Sequence, residues 1–242
     1  MYQDNRWLRM LKPGITAIVG AGGKTTVLER LGKYGHNSKL PIMISSTVPM
    51  DSAYIDNVEP FDVICTSDVE KGEAFCAARI ADGRVPAWFW GLDGNDCYTG
   101  LPTKVIEQLK VRHPAWYILI EGDGAKGKWL KAPLPDDVPV PVNCDTIIGV
   151  LNLQMLGNSL LPEKVEGIET ATMIMGRSQG AVITPAMLAK LIKHPRGMFR
   201  GMPCARILFC TGYNAVQHRM TEALLDEMED FGLVASVLAD GY

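Results

Sequence analysis

The sequence predicts a three-layer α/β domain with a mostly parallel sheet. Three observations predict it. Apolar runs recur at 15–19, 40–45, 62–65, 116–121, 145–151, 207–210 and 233–238, and several are nearly unbroken, as strands covered on both faces of a parallel sheet should be. Stretches of helical spacing lie between them. The first run stops at a glycine cluster that opens a helix, the join expected of a strand–loop–helix unit.

The elements follow in order. A helix over 25–34 leaves the glycine cluster. A second is expected over 69–80 and a third over 103–111, where Val105, Ile106 and Leu109 share one face. Before the third, RVPAWFWGLDGNDCYTGL departs from the alternation: aromatic residues, then Asp93-Gly94-Asn95-Asp96, then Cys97-Tyr98 predict a β-hairpin within 85–101. Thr184-Pro185 is a helix start, a capping hydroxyl followed by a first-turn proline. That helix buries Met187, Leu188, Leu191 and Ile192 and should end before Pro195. The last helix, from Ala215, sets Val216, Met220, Ala223, Leu224, Met228 and Phe231 on one side. At 242 residues, without internal repeats or low-complexity linkers, the chain reads as one domain over 1–242 with the hairpin as an insertion.

The stretch ITAIVGAGGKTTVLERLGKY carries the first chemical signal. A polyphosphate needs several N–H donors close together, and glycines let the backbone close around it with no Cβ in the way. The next helix adds donors and a partial positive charge at its N-terminus. Gly20, Ala21, Gly22, Gly23, Lys24, Thr25 and Thr26 are therefore candidate nucleotide-binding residues. In this reading Lys24 neutralises the outer phosphates and Thr25 offers its hydroxyl to Mg²⁺. The domain is accordingly expected to be P-loop NTPase-like. The common loop, G-x-x-x-x-G-K-[ST], would put its first glycine at Ile18. Here the spacing is G-x-x-G-K-T, two residues shorter, similar to the ATP loop of Mur-type ligases. A tight turn with a surface lysine is the plain structural alternative.

Two further stretches end strands. In WYILIEGDGAKGKWLKAP a buried strand runs into Glu121-Gly122-Asp123-Gly124. Carboxylates at the carboxyl end of a parallel strand are placed to hold a Mg²⁺ ion or its water, and two of them two residues apart face one way if the strand continues. Glu121 and Asp123 are thus candidate metal ligands with Thr25, and candidate catalytic groups with Lys24. Lys126, Lys128 and Lys131 make the next segment cationic, and Lys126 is a candidate for an anionic ligand. In IMISSTVPM, Ser46 and Thr47 lie where ligands bind in open parallel sheets, beyond the strand ends. Filling a loop is the equally simple role for these hydroxyls.

Composition narrows the class. A hydrophobic fraction of 47% supports a sizeable core, and a formal net charge of −3 without a basic stripe argues against a nucleic-acid surface. No apolar run is long enough for a membrane helix, and the N-terminus lacks the apolar core of a signal peptide, so a cytoplasmic location is expected. The six cysteines form no C-x-x-C pair and the four histidines no ligand spacing, which predicts buried free thiols and no structural zinc.

Together the three motifs resemble the YqeC family, proposed accessory proteins for selenium-dependent molybdenum hydroxylases. The family's V-G-A-G-G-K-T-T loop is matched by residues 19–26. Its I-S-T-T-T-H-M-like segment aligns with Ile44-Ser45-Ser46-Thr47-Val48-Pro49-Met50. Its E-A-D-G-A-K-G and L-K-A-P correspond to Glu121-Gly122-Asp123-Gly124-Ala125-Lys126-Gly127 and Leu130-Lys131-Ala132-Pro133. IIGVLNLQMLGNSL and VITPAMLAKLI look like it too, so the similarity covers most of the chain. Val48-Pro49 depart from it, removing a possible imidazole. The guanine-reading Asn-Lys-x-Asp of P-loop GTPases is also missing from FCTGYNAVQ, which has Asn214 without the lysine or aspartate. The resemblance implies a nucleotide-binding P-loop fold and partners among molybdenum hydroxylases or cofactor-maturation proteins.

The leading expectation is a Mg²⁺-dependent binder of ATP or GTP that acts as a slow NTPase or kinase-like accessory factor. A small-molecule kinase or ATP-dependent ligase with a short Mur-like loop is the second. A non-catalytic chaperone for a nucleotide or cofactor is the third.

Overall fold

A computed structural model describes residues 11–56, 58–135, 137 and 140–238. The N-terminal segment read above as lacking a signal-peptide core lies largely outside the described residues. The architecture is mixed α/β, with an eight-stranded, mostly parallel sheet flanked by helices, as the sequence predicts. The chain forms two compact units: Met1–Ile18, Thr25–Asp123 and Val138–Thr146 in the first, and Val19–Lys24, Gly124–Asp137 and Ile147–Tyr242 in the second.

In the first unit the strands are β1 (Gly14–Gly20), β2 (Ile42–Ser46), β4 (Phe61–Cys65), β5 (Val85–Phe89) and β8 (Tyr117–Glu121), in the spatial order β1-β8-β2-β5-β4. Register is parallel throughout. Ile18 lies opposite Glu121 across β1 and β8, and Ser46 opposite Glu121 across β2 and β8. Three helices connect them: α1 (Lys24–Asn37), α2 (Val69–Ala81) and α3 (Thr103–Arg112). Every residue of β1, β2 and β5 is buried, which explains their apolar composition. Helix α2 is capped by Asp68, whose side chain accepts from Lys71 N. It reaches the sheet through Gly72, where a Cβ would come 2.1 Å from the Trp88 ring. Trp88 is fully buried and donates its indole N–H to Thr66 O at 2.9 Å. Trp116 is also buried and stacks on His113 with centroids 3.8 Å apart.

The hairpin is smaller than its sequence range. Residues 85–89 belong to the parallel sheet. Within 85–101 the antiparallel pairing is between β6 (Gly91–Leu92) and β7 (Cys97–Thr99), and β3 (Met50–Asp51) joins on the other side of β7. This small sheet is tied to the carboxyl end of β2: Leu101 N donates to Ser46 O at 2.8 Å, and a Cβ on Gly100 would come 2.4 Å from Thr47 C.

The second unit holds β10 (Thr146–Asn152), β12 (Ala205–Thr211) and β13 (Ala235–Leu238), in the order β13-β12-β10. A two-stranded parallel ladder pairs β9 (Leu130–Lys131) with β11 (Val165–Glu166). The helices are α4 (Ile168–Met175), α5 (Pro185–Lys193) and α6 (His218–Met228). Thr184 caps α5 as its sequence predicts, accepting from Met187 N at 3.3 Å. Helix α4, which the sequence reading missed, is bounded by Gly167 and Gly176, at φ of 75° and 66°. Trp129 is 39% exposed and lies under Lys164, whose Nζ is 5.1 Å from the ring centroid.

Candidate functional site

The glycine loop connects β1 to α1, and three of its residues need left-handed backbone: Gly20 at φ 98°, Gly22 at 86° and Gly23 at 119°. Packing adds a second requirement at two of them. A Cβ on Gly20 would lie 2.2 Å from Val150 O, and one on Gly22 would lie 2.6 Å from Asn152 Cβ. At Gly23 a Cβ would meet only Thr211 Cγ2 at an ordinary 3.6 Å, so conformation alone selects glycine there. Ala21 N donates to Val150 O at 3.0 Å, and Thr211 Oγ1 to Gly22 O at 2.6 Å. The loop is thus fixed from two strands of the second unit. Lys24 is buried, and its Nζ donates to Gly20 O at 3.0 Å, folding back over the loop it follows. Thr26 is half-buried in the first turn of α1.

In the first unit Thr25, Ser46, Thr47 and Glu121 come together. Thr25 Oγ1 donates to Glu121 Oε2 at 2.9 Å. Glu121 ends β8 and is 9% exposed. Its backbone oxygen accepts from Thr47 N at 3.0 Å and faces the hydroxyls of Ser46 and Thr47 at 3.2 and 3.4 Å. The Ser46 hydroxyl has a shorter bond, 2.7 Å to Val48 O, and accepts from Val48 N, so it closes a local turn. Ser45 donates to Trp88 O at 2.6 Å. Strand β8 stops at Glu121, so strand alternation does not extend to Asp123, which is 2% exposed.

The lysines after β8 have partners of their own. Lys126 and Lys128 each reach Glu166 at 2.8 Å, and the buried Lys131 reaches Asp137 at 2.8 Å. Burial raises the pKa of Glu166, but the two ammonium groups outweigh it and hold the carboxyl below its ordinary value. No local sequence signal links Glu166 to lysines some forty residues earlier.

All six cysteines are free thiols, but only Cys76, Cys144 and Cys210 are buried. Cys65 is exposed, and Cys97 and Cys204 are intermediate, because they sit at strand ends and in connections rather than in the core. Burial pushes Cys76 and Cys210 up to about 12, which keeps them protonated and unreactive. Among the described residues no three His, Cys, Asp or Glu side chains gather to hold a metal ion. No helix among them is long and apolar enough to cross a membrane.

A family model described as YqeC protein matches residues 16–169, which take in the glycine loop, β2, β8 and Glu166. The chain belongs to the YqeC family. It is also 26% identical over 233 residues to a curated relative from Escherichia coli (strain K12), "Uncharacterized protein YqeC", covering 95% of this chain and 88% of the relative. No solved structure matches. Family membership therefore extends over both compact units, and the glycine loop and Glu121 fall within the matched segment.

Proposed function

We propose that this chain is a Mg²⁺-dependent nucleoside-triphosphate-binding protein, a slow NTPase or kinase-like factor that serves in the cytoplasm in maturation of selenium- and molybdenum-dependent hydroxylases. The observation that carries the nucleotide reading is the 2.9 Å hydrogen bond from Thr25 to Glu121. It sets the Glu121 carboxylate beside the hydroxyl of Thr25, the residue that directly follows the glycine loop and Lys24.

The donor set suits a hard cation. Mg²⁺ prefers oxygen ligands and keeps several waters, so one hydroxyl and one carboxylate are an adequate protein share. The loop suits phosphate, with three glycines in left-handed backbone and a helix starting at Lys24. In this reading the amides of Gly22, Gly23 and Lys24 and the Lys24 ammonium hold the phosphates. Thr25 and Glu121 hold the metal or its water, and Asp123 is the second carboxylate. The metal's contribution is neutralisation of charge on the transferring phosphoryl group. The accessory role in hydroxylase maturation rests on the family resemblance alone.

A kinase would need a wall for a second substrate as well. The small sheet of β3, β7 and β6 stands at the carboxyl end of β2 in the unit that holds Thr25 and Glu121, and it can wall a second substrate. The deciding experiment is calorimetric titration with ATP, GTP and CTP, with and without Mg²⁺, followed by product analysis. Free phosphate marks an NTPase and phosphate on a second molecule a kinase. Absence of binding overturns the proposal.

A further inference from the structure

Within the second unit the turn after β12 is built against the glycine loop. Thr211 Oγ1 donates to Gly22 O at 2.6 Å, and Thr211 Cγ2 is the nearest atom to a side chain placed at Gly23. Asn152, which ends β10, is wedged between loop and turn. A Cβ on Gly22 would lie 2.6 Å from Asn152 Cβ, and one on Gly212 would lie 2.5 Å from Asn152 Oδ1. From this shared wall the chain runs outward through Tyr213, Asn214, Ala215 and Val216.

The turn offers surface but few free polar groups. Tyr213 is half-buried. Its hydroxyl lies 2.9 Å from His218 Nδ1, and its ring meets the imidazole edge-on at 76°, which fixes the ring while leaving part of it open. Val216 is 91% exposed. The side-chain amides are engaged: within the turn Asn214 Oδ1 accepts from Gln217 N and Asn214 Nδ2 donates to Gln217 Oε1, and Gln217 Nε2 donates to Leu156 O in the segment after β10, each at 3.2 Å.

We propose that Tyr213 is the stacking platform for the nucleobase, and that the site takes nucleoside triphosphates with little choice among bases. The proposal rests on the phosphate-loop reading above. A base joined to phosphates at Gly22 and Gly23 is delivered to the neighbouring turn, where the half-buried Tyr213 presents part of its ring. Stacking tolerates any base because every base has a π face. Strong discrimination needs hydrogen-bonding groups committed to the base edge, and the side-chain amides of Asn214 and Gln217 are already bonded to each other, to Gln217 N and to Leu156 O.

The test is calorimetry in Mg²⁺ with ATP, GTP, CTP and inorganic tripolyphosphate, on wild type and Tyr213→Ala. The wild type should bind ATP and GTP within about tenfold of each other. Tyr213→Ala should weaken every nucleotide roughly tenfold or more, as loss of one aromatic–base stack does, and leave tripolyphosphate unchanged. Unchanged nucleotide affinity in Tyr213→Ala overturns the platform and leaves the phosphate loop standing. An equal loss for tripolyphosphate also overturns it, since the effect would then lie in the loop. A preference above about a hundredfold for one base overturns the tolerance. A wild type that binds neither nucleotide nor tripolyphosphate overturns both this proposal and the reading beneath it.

Discussion

Thr25 Oγ1 donates a 2.9 Å hydrogen bond to Glu121 Oε2, joining the second residue of α1 to the last residue of β8 across 96 positions of sequence. Glu121→Gln keeps an oxygen acceptor for that hydroxyl and removes the charge. Nucleotide affinity without Mg²⁺ should stay within about threefold, the gain from adding Mg²⁺ should disappear, and turnover should fall roughly a hundredfold or more. Titration with and without Mg²⁺, followed by phosphate release, measures all three. Wild-type turnover in both Glu121→Gln and Asp123→Asn would remove the carboxylates from the mechanism.

Lys24→Ala should weaken nucleotide binding by roughly ten- to a hundredfold, the equivalent of a charge-assisted contact of about 1.5–3 kcal/mol. The lysine's bond to Gly20 O is one of several ties holding the loop, so the variant should remain folded by circular dichroism. Unchanged affinity would end the phosphate-loop reading.

Alanine at the two adjacent glycines should separate packing from conformation. Gly22→Ala meets Asn152 Cβ at 2.6 Å and also requires φ of 86°, whereas Gly23→Ala faces only the backbone cost at 119°. Gly23→Ala should cost about 1–3 kcal/mol in urea unfolding, and Gly22→Ala measurably more. Equal costs would mean that Asn152 gives way freely.

Glu166 should give stability an acid limb. Its folded pKa lies below the ordinary carboxylate value because Lys126 and Lys128 outweigh its burial. The unfolded chain then takes up the proton first. The carboxylate's contribution is complete above its unfolded pKa of ~4.3 and is lost as pH falls through the lower folded value. Glu166→Gln should lower stability by about 1–3 kcal/mol at neutral pH, with the difference from wild type shrinking below about pH 4. Urea midpoints across pH test this, and a constant difference would exclude the ion pairs as its source.

Much of this was legible in the sequence because the signals were local. Glycines between an apolar run and a helix gave the loop, and Thr184-Pro185 gave the start of α5. A buried run ending in Glu121 gave β8, whose place directly beside β1 follows from their register. Strand β5 was less legible. Pro86 lies inside it, which argues against a central strand, and the aromatic run and Asp93-Gly94 turn that follow drew it into the hairpin. Helix α4 had its signals in Gly167 and Gly176, but eight residues make a short periodic window. The pairing of Lys126 and Lys128 with Glu166, and the wedge of Asn152 against Gly22, depend on distant strands and have no local pattern.

The burial of Trp88 has a spectroscopic consequence. Among the described residues, the first unit holds the buried Trp88 and Trp116 and the half-buried Trp90, while the second unit carries the partly exposed Trp129 beneath a lysine. Emission from the buried pair should be blue-shifted and should move red as that unit opens. The second unit contributes an already red-shifted signal that changes little. A denaturation curve followed by tryptophan emission therefore watches chiefly the first unit, whereas far-ultraviolet dichroism watches every helix. Coincident curves mean that the two units unfold together, and a lag between them means that each melts by itself.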